Sequence, residues 1–124
     1  MAYYGKGKYK FQDLIDSTTN KLAKRFLIYK WGCFYGDKSS EGKYDGYVEQ
    51  MLYNVDAEEI RHQLTGFVAG KLDGKSSCEV DIIMASRDIL PKLADIYIEM
   101  SRESNWGDSD DLKDWMDIKD CYGR

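Results

Sequence analysis

The chain has little of what most enzymes and metal sites are built from. Its 124 residues include one histidine, one proline and three cysteines. Cys33, Cys78 and Cys121 are odd in number, widely spaced and without a C-x-x-C pair, so alone they form neither a disulfide framework nor a zinc finger. A Cys3His site with His62 would have to gather four remote residues, and buried reduced thiols are the more common outcome. We therefore expect reduced cysteines, no metal and no cofactor.

Long apolar runs are also missing. The longest unbroken ones, residues 26–29 and 82–85, have four residues each, whereas a membrane-spanning helix needs about 20. The first eight residues carry positive charge with no apolar segment behind them, which is not the pattern of a secretion signal. We therefore expect a cytoplasmic protein with no membrane association.

The composition is that of one folded domain, with 43% hydrophobic residues, 32% charged residues and a formal net charge of −4. The charge is unevenly distributed along the chain. Residues 1–30 contain seven Lys or Arg and two acids, whereas residues 46–124 contain seventeen acids and nine bases. We predict a flexible basic segment at residues 1–10 and a single globular domain at residues 11–124.

Apolar residues recur at helical spacing along most of the chain and predict a mainly α fold, a compact bundle of about five helices. We predict helices from Phe11 to near Gly32 or Gly36, from Asp45 to Asn54, from Asp56 to near Gly70, from Asp88 to Glu103, and from Asp108 or Ser109 onward. Residues 26–35 and 78–84 fit strand or helix, and a small β-hairpin formed from them is the alternative.

Two of these helices have recognisable starts. Asp56 followed by Glu59 resembles a capping box, with Asp in place of Ser or Thr. Asp88 is predicted as the cap of the next long helix, because Pro91 then occupies the third helical position, where its missing N–H is harmless. Both predictions rest on residues close to the helix start.

Two ligand-binding motifs are only partly matched. Residues 70–76 have three residues between the first glycine and Gly-Lys-Ser, whereas a phosphate-binding loop needs four. Residues 108–119 are acidic, but Lys113 and Lys119 stand where a calcium loop needs glycine and glutamate. Neither segment predicts a site.

No catalytic set is recognisable, so we predict that the protein is not an enzyme. His62 is expected to face solvent beside Glu58, one turn earlier on the helix, rather than to lie in a cleft. A pair formed by Cys33 or Cys78 with His62 remains open, since such residues are neighbours in space and not in sequence. A small metal- or ligand-dependent enzyme assembled from dispersed residues is therefore an alternative.

The last helix is expected to bury Leu112, Trp115, Met116 and Ile118 and to present an acidic face opposite them. Asp110, Asp114 and Asp117 lie within about 60° of each other and along ~10 Å of the helix axis. Tyr and Trp are typical anchors of protein interfaces. The predicted partner-binding residues are Asp108, Asp110, Asp111, Asp114, Asp117, Asp120, Trp106, Tyr35 and Tyr44.

These features predict a small acidic module that binds a basic protein. The more specific hypothesis is a stoichiometric inhibitor of a nucleic-acid-processing complex, of the anti-CRISPR-like kind that mobile elements use against host defence. The alternative is a nucleic-acid-binding accessory protein that uses its Tyr- and Lys-rich N-terminus. The candidate contacts are then Lys6, Lys8, Lys10, Tyr9, Lys21, Lys24 and Arg25. The net charge of −4 makes nucleic acid the less favoured principal partner.

Overall fold

A computed structural model describes residues 8–32, 40–71, 78–104 and 109–122. The α-helices of these ranges are α1 (Phe11–Ser17), α2 (Lys21–Phe26), α3 (Val48–Asn54), α4 (Ala57–Lys71), α5 (Cys78–Ser104) and α6 (Ser109–Tyr122), and a π-helical turn, Leu27–Trp31, continues α2. The mainly α prediction is confirmed. Residues 26–32 and 78–84 are helical, so their described parts form no β-hairpin, and residues 33–35 lie outside the description. No helix in these ranges has the length and apolar character needed to cross a membrane.

The prediction of one continuous first helix is wrong, because the chain breaks between α1 and α2. The Asn20 side chain caps α2 by accepting hydrogen bonds from the backbone N–H groups of Leu22 and Ala23, both at 3.0 Å. From α5, the Asp88 carboxylate accepts the backbone N–H groups of Thr19 and Asn20 at 2.9 and 2.7 Å. Side chains therefore satisfy the backbone where the helix is interrupted.

The predicted start of α5 is also wrong. This helix begins at Cys78 and runs for 27 residues with Pro91 in its interior. Asp88 is therefore a mid-helix residue whose carboxylate caps the link between α1 and α2 instead of its own helix. Pro91 lacks an N–H, so the carbonyl of Arg87 loses its helical hydrogen bond.

The core surrounds α5, which contacts α2, α3, α4 and α6. The largest fully buried side chains are Trp115, Tyr97, Phe11, Phe26, Leu27, Met51, Leu52, Ile60, Leu64, Ile89, Leu90 and Leu93. On α6, Trp115 and Ile118 are buried as predicted and Leu112 is half-buried, but Met116 is 51% exposed, so its predicted inward orientation is wrong. The apolar face of α6 is therefore narrower than its sequence suggests.

The first described residues are bound to the start of α3. Lys10 and Tyr47 form an isolated antiparallel bridge. The Glu49 carboxylate, only 2% exposed, accepts the backbone N–H groups of Lys8 at 2.6 Å and Tyr9 at 3.2 Å. These bonds satisfy a buried charge with backbone donors. Residues 1–7 of the basic segment lie outside the described ranges.

The π-helical turn shapes the surface and the core at the end of α2. The backbone N–H of Gly32 bonds to the carbonyl of Leu27, five residues earlier. This wider turn brings the rings of Phe26 and Trp31 into edge-to-face contact, with centroids 4.5 Å apart. The Tyr44 ring packs against Gly32, where an added Cβ would lie 2.8 Å from its Cε1 atom.

Candidate functional site

A cavity of about 410 Å³ lies where the turn between α3 and α4 meets the first turns of α6. It is lined by Leu52, Tyr53, Asn54, Val55, Asp56, Glu58, Tyr97, Asp110, Asp111 and Asp114. Five of these described residues carry carboxylates and none carries a basic group. We call it the acidic cavity.

The carboxylates gather here because two helices begin at this point. Acidic side chains are favourable near helix N-termini, where the free N–H groups and the helix dipole are positive. The Asp56 side chain accepts the backbone N–H of Glu59 at 2.8 Å, which confirms the predicted cap of α4. Asp110 and Asp111 lie in the first turn of α6. Both sets of acids thus have a local structural reason as well as a shared location.

Asp111 is the half-buried carboxylate of the cavity. It accepts the backbone N–H of Ala57 at 2.8 Å and is hydrogen bonded to the Tyr97 side chain. Burial raises the pKa of Asp111, and the negative charges of Asp56 and Asp114 add to the rise, whereas the bonds from Ala57 and Tyr97 oppose it. A cation entering the cavity would offset the repulsion between these negative charges.

The structure divides the predicted acidic face. Asp110, Asp111 and Asp114 line the cavity. Asp117 lines a separate concavity together with Arg61, and Asp120 lies in another that includes Arg102. Asp114 also lines the concavity that holds Asp117 and Arg61, and Arg61 shares a further concavity with Glu58 and Asp114. Arg61 therefore borders the acidic cavity without lining it.

Two acids that the sequence did not assign to a binding site, Asp56 and Glu58, complete the cavity. Asp56 was identified only as a helix cap. The signal that could have drawn attention to them is the concentration of acids at the starts of two helices. Which two starts meet is decided by tertiary packing and not by spacing along the chain.

The structure does not support the predicted contact at Tyr44, and it does not describe those at Tyr35 and Trp106. Tyr44 is buried in the core against Gly32, so its ring has little surface for a partner. Tyr35, Trp106 and Asp108 lie outside the described residues. The aromatic residues beside the acidic cavity are instead Tyr53, which is half-buried, and Tyr97, which is fully buried.

Part of the predicted nucleic-acid surface is engaged within the molecule. The Lys8 ammonium pairs with Glu103 and, at 3.5 Å, with Glu99, while the Tyr9 hydroxyl donates to Glu99. The bond from Tyr9 lowers the pKa of Glu99, and the bond to Glu103 raises the pKa of Lys8. These acids on α5 offset the positive charge that Lys8 brings to the N-terminal segment.

The remaining candidates are placed as follows. Lys10, Lys21 and Arg25 are exposed and Lys24 is half-buried, while Lys6 lies outside the described residues. His62 is exposed on α4, as predicted.

Metal ligation gains no support from the described part of the chain. No group of three or more His, Cys, Asp or Glu residues there is arranged to hold a metal ion.

Comparison with models of protein families, with curated proteins and with solved structures finds no significant match to this chain.

Proposed function

We propose that the protein is a small binding module whose acidic cavity receives a lysine or arginine side chain of a basic partner protein. The observation that carries this proposal is the concentration of five carboxylates around one concave site, where the described lining residues include no basic group. Protein surfaces usually mix charges of both signs. A concave site of one sign focuses the field on an incoming opposite charge.

The walls of the cavity suit a long basic side chain. The half-buried side chains of Tyr53 and Val55 provide apolar surface for the methylene stem, whereas Leu52 and Tyr97 are fully buried behind them. The carboxylates provide acceptors for the charged end, and a guanidinium can bind a carboxylate through two parallel hydrogen bonds. We therefore expect the cavity to prefer an arginine side chain over a lysine side chain.

Position within the cavity suggests different roles for its acids. Asp110 and Asp114 are exposed, whereas Asp111 is half-buried behind them. Exposed charges mainly accelerate association and make it sensitive to salt. We assign steering to Asp110 and Asp114, and the contact with the seated cation to Asp111.

The more specific form of the proposal is stoichiometric inhibition of a nucleic-acid-processing complex, as anti-CRISPR-like proteins of mobile elements achieve. Proteins that handle nucleic acids present grooves rich in lysine and arginine. An acidic module that occupies such a groove would compete with the phosphate backbone. The expected compartment is the cytoplasm, in keeping with reduced cysteines.

The test measures binding of a fluorescein-labelled oligoarginine peptide, with a glycine-serine peptide as the uncharged reference. The double variant Asp110→Asn/Asp114→Asn removes two charges from the cavity. The matched control, Asp117→Asn/Asp120→Asn, removes two charges from the same helix outside the cavity. Stopped-flow and equilibrium anisotropy at low and high salt give the association rate and the affinity.

We expect the cavity variant to bind about tenfold more weakly at low salt, mainly through slower association, and the control to change by less than about threefold. If both double variants weaken binding equally, net charge alone explains the interaction and the cavity proposal is wrong. A pull-down at low and high salt, repeated with the cavity variant, then identifies the natural partner.

A further inference from the structure

A second charged surface, of opposite sign, lies on α2 and the π-helical turn. Between residues 21 and 31 the chain has four basic residues and no acid. Lys21, Arg25 and Lys30 are exposed and Lys24 is half-buried. The ion pairs of the described residues involve Lys8, Lys92 and Lys119 and none of these four. We call Lys21, Lys24, Arg25 and the neighbouring Tyr29 the basic face, because their spacing of three or four residues places them on one side of the helix.

The π-helical turn gives this face its aromatic group. Leu27 and Trp31 are buried on the inner side of the turn, where Trp31 contacts Phe26. Tyr29 lies on the outer side with 65% of its surface exposed. Arg25 and Tyr29 are four residues apart, so they neighbour each other on one side of the helix. A large and mostly exposed ring therefore lies beside cations that form no ion pair with other described residues.

The chemistry of the face selects a ligand that is anionic and carries flat rings. Cations hold phosphates, and an exposed tyrosine offers a stacking surface to a base that is not paired in a duplex. An acidic peptide would use the cations and leave the ring without a matching role. Lys21, Arg25 and Tyr29 are each four residues apart, so they lie in one row of about 12 Å along the helix that an extended strand can follow.

We propose that the basic face binds single-stranded nucleic acid, with Lys21, Lys24 and Arg25 on the phosphates and Tyr29 stacked on a base. This site differs from the acidic cavity in residues, charge and ligand, and it does not depend on the proposed function. It also differs from the N-terminal segment, where Lys8 and Tyr9 are engaged with Glu99 and Glu103.

The test uses fluorescence anisotropy with labelled oligothymidylate, oligouridylate and a polyglutamate peptide, at salt concentrations from low to physiological. Lys21→Gln/Arg25→Gln removes two charges from the face. The matched control is Arg61→Gln/Lys113→Gln, since these two residues are exposed on α4 and α6. Tyr29→Ala removes the ring and Tyr29→Phe keeps it. Circular dichroism checks that each variant is folded.

Binding of either oligonucleotide at low salt supports the proposal, provided that it weakens about tenfold or more in Lys21→Gln/Arg25→Gln and less than about threefold in the control. The plot of log affinity against log salt should become shallower by about 1.4, or ~0.7 for each lost phosphate contact. Tyr29→Ala should bind about tenfold more weakly, while Tyr29→Phe stays close to the parent.

Absence of binding to both oligonucleotides at low salt overturns the proposal. So does equal affinity for polyglutamate, which would make the face a site for acidic proteins, or equal loss in the Tyr29→Ala and Tyr29→Phe variants. The variant Asp110→Asn/Asp114→Asn should keep its affinity for the oligonucleotides, or gain some, while losing oligoarginine. Failure of one site is therefore distinguishable from failure of the other.

Discussion

The Asp111 carboxylate of α6 accepts the backbone N–H of Ala57, the first residue of α4, at a distance of 2.8 Å. The two residues are 54 positions apart, so the bond joins the starts of two helices that are remote in sequence. Ala57 is fully buried, and its N–H is one of the donors that a helix start leaves without an internal partner. Asp111 therefore both lines the acidic cavity and connects the starts of α4 and α6.

Replacing Asp111 by alanine should destabilise the protein. The substitution leaves the N–H of Ala57 without its acceptor, which costs about 1–3 kcal/mol of unfolding free energy, measured by urea denaturation. Asp120→Ala is the control on the same helix, and we expect it to change stability by less than about 0.5 kcal/mol because the side chain is exposed. Equal effects of the two substitutions would show that the hydrogen bond from Ala57 to Asp111 does not stabilise the protein.

The raised pKa of Asp111 predicts a definite pH dependence. Between the pKa of an unfolded aspartate, about 3.9, and the higher folded value, the folded state binds more protons than the unfolded state. Protonated Asp111 therefore adds to the free energy of unfolding. This stabilisation is fully present below the pKa of the unfolded state and is lost as pH rises through the pKa of the folded state. The parent's unfolding free energy, relative to Asp111→Asn, should therefore fall over this range. A difference that grows with pH would contradict the assigned direction.

Two aspartates of α5 should differ in their importance. Asp88→Ala removes the acceptor of the N–H groups of Thr19 and Asn20 and should cost about 1–3 kcal/mol. Asp95→Ala removes a 2.7 Å ion pair with Lys119 in which both side chains are more than half exposed, so it should cost less than about 1 kcal/mol. Thermal or urea unfolding of both variants checks the ranking, and the reverse order would refute it.

Two glycines should respond in opposite directions to alanine. At Gly32 a Cβ would lie 2.8 Å from the Tyr44 ring and 3.0 Å from the Leu27 carbonyl oxygen, so we expect a loss of about 1–3 kcal/mol. At Gly66, inside α4, a Cβ would meet nothing within 4 Å, and alanine should stabilise the helix by about 0.5–1 kcal/mol. Urea unfolding of both variants tests the contrast, which disappears if Tyr44 moves aside without cost.

Local signals in the sequence were sufficient where the stabilising partners are close along the chain. Asp56 and Glu59 lie three residues apart, and the predicted cap of α4 is present. The interruption before α2 was missed because the apolar periodicity continues across it. The bonds that hold this interruption come partly from Asp88, 68 and 69 residues away. The spacing of apolar residues carries no information about a hydrogen-bond acceptor so far away along the chain.

The candidate site follows the same division. Asp110 and Asp114 were identified from helical spacing, which needs only the geometry of α6. Asp56 and Glu58 join them only because the end of α3 and the start of α4 pack beside α6. Tyr44 was predicted to be a surface aromatic from composition alone, and this prediction is wrong. Its ring packs into the space that Gly32 leaves by having no side chain. Partners that meet through packing must be seen in three dimensions.

The attachment of the first described residues has a consequence for synthesis on the ribosome. Lys8 binds Glu103, which follows it by 95 residues. At translation rates of about 5–20 residues per second, Lys8 waits roughly 5–19 s before that partner is even polymerised. Until then the Lys8 side chain lacks this partner, and backbone bonds such as those to Glu49, 41 residues away, can hold the segment. The speed of elongation determines how long that stage lasts.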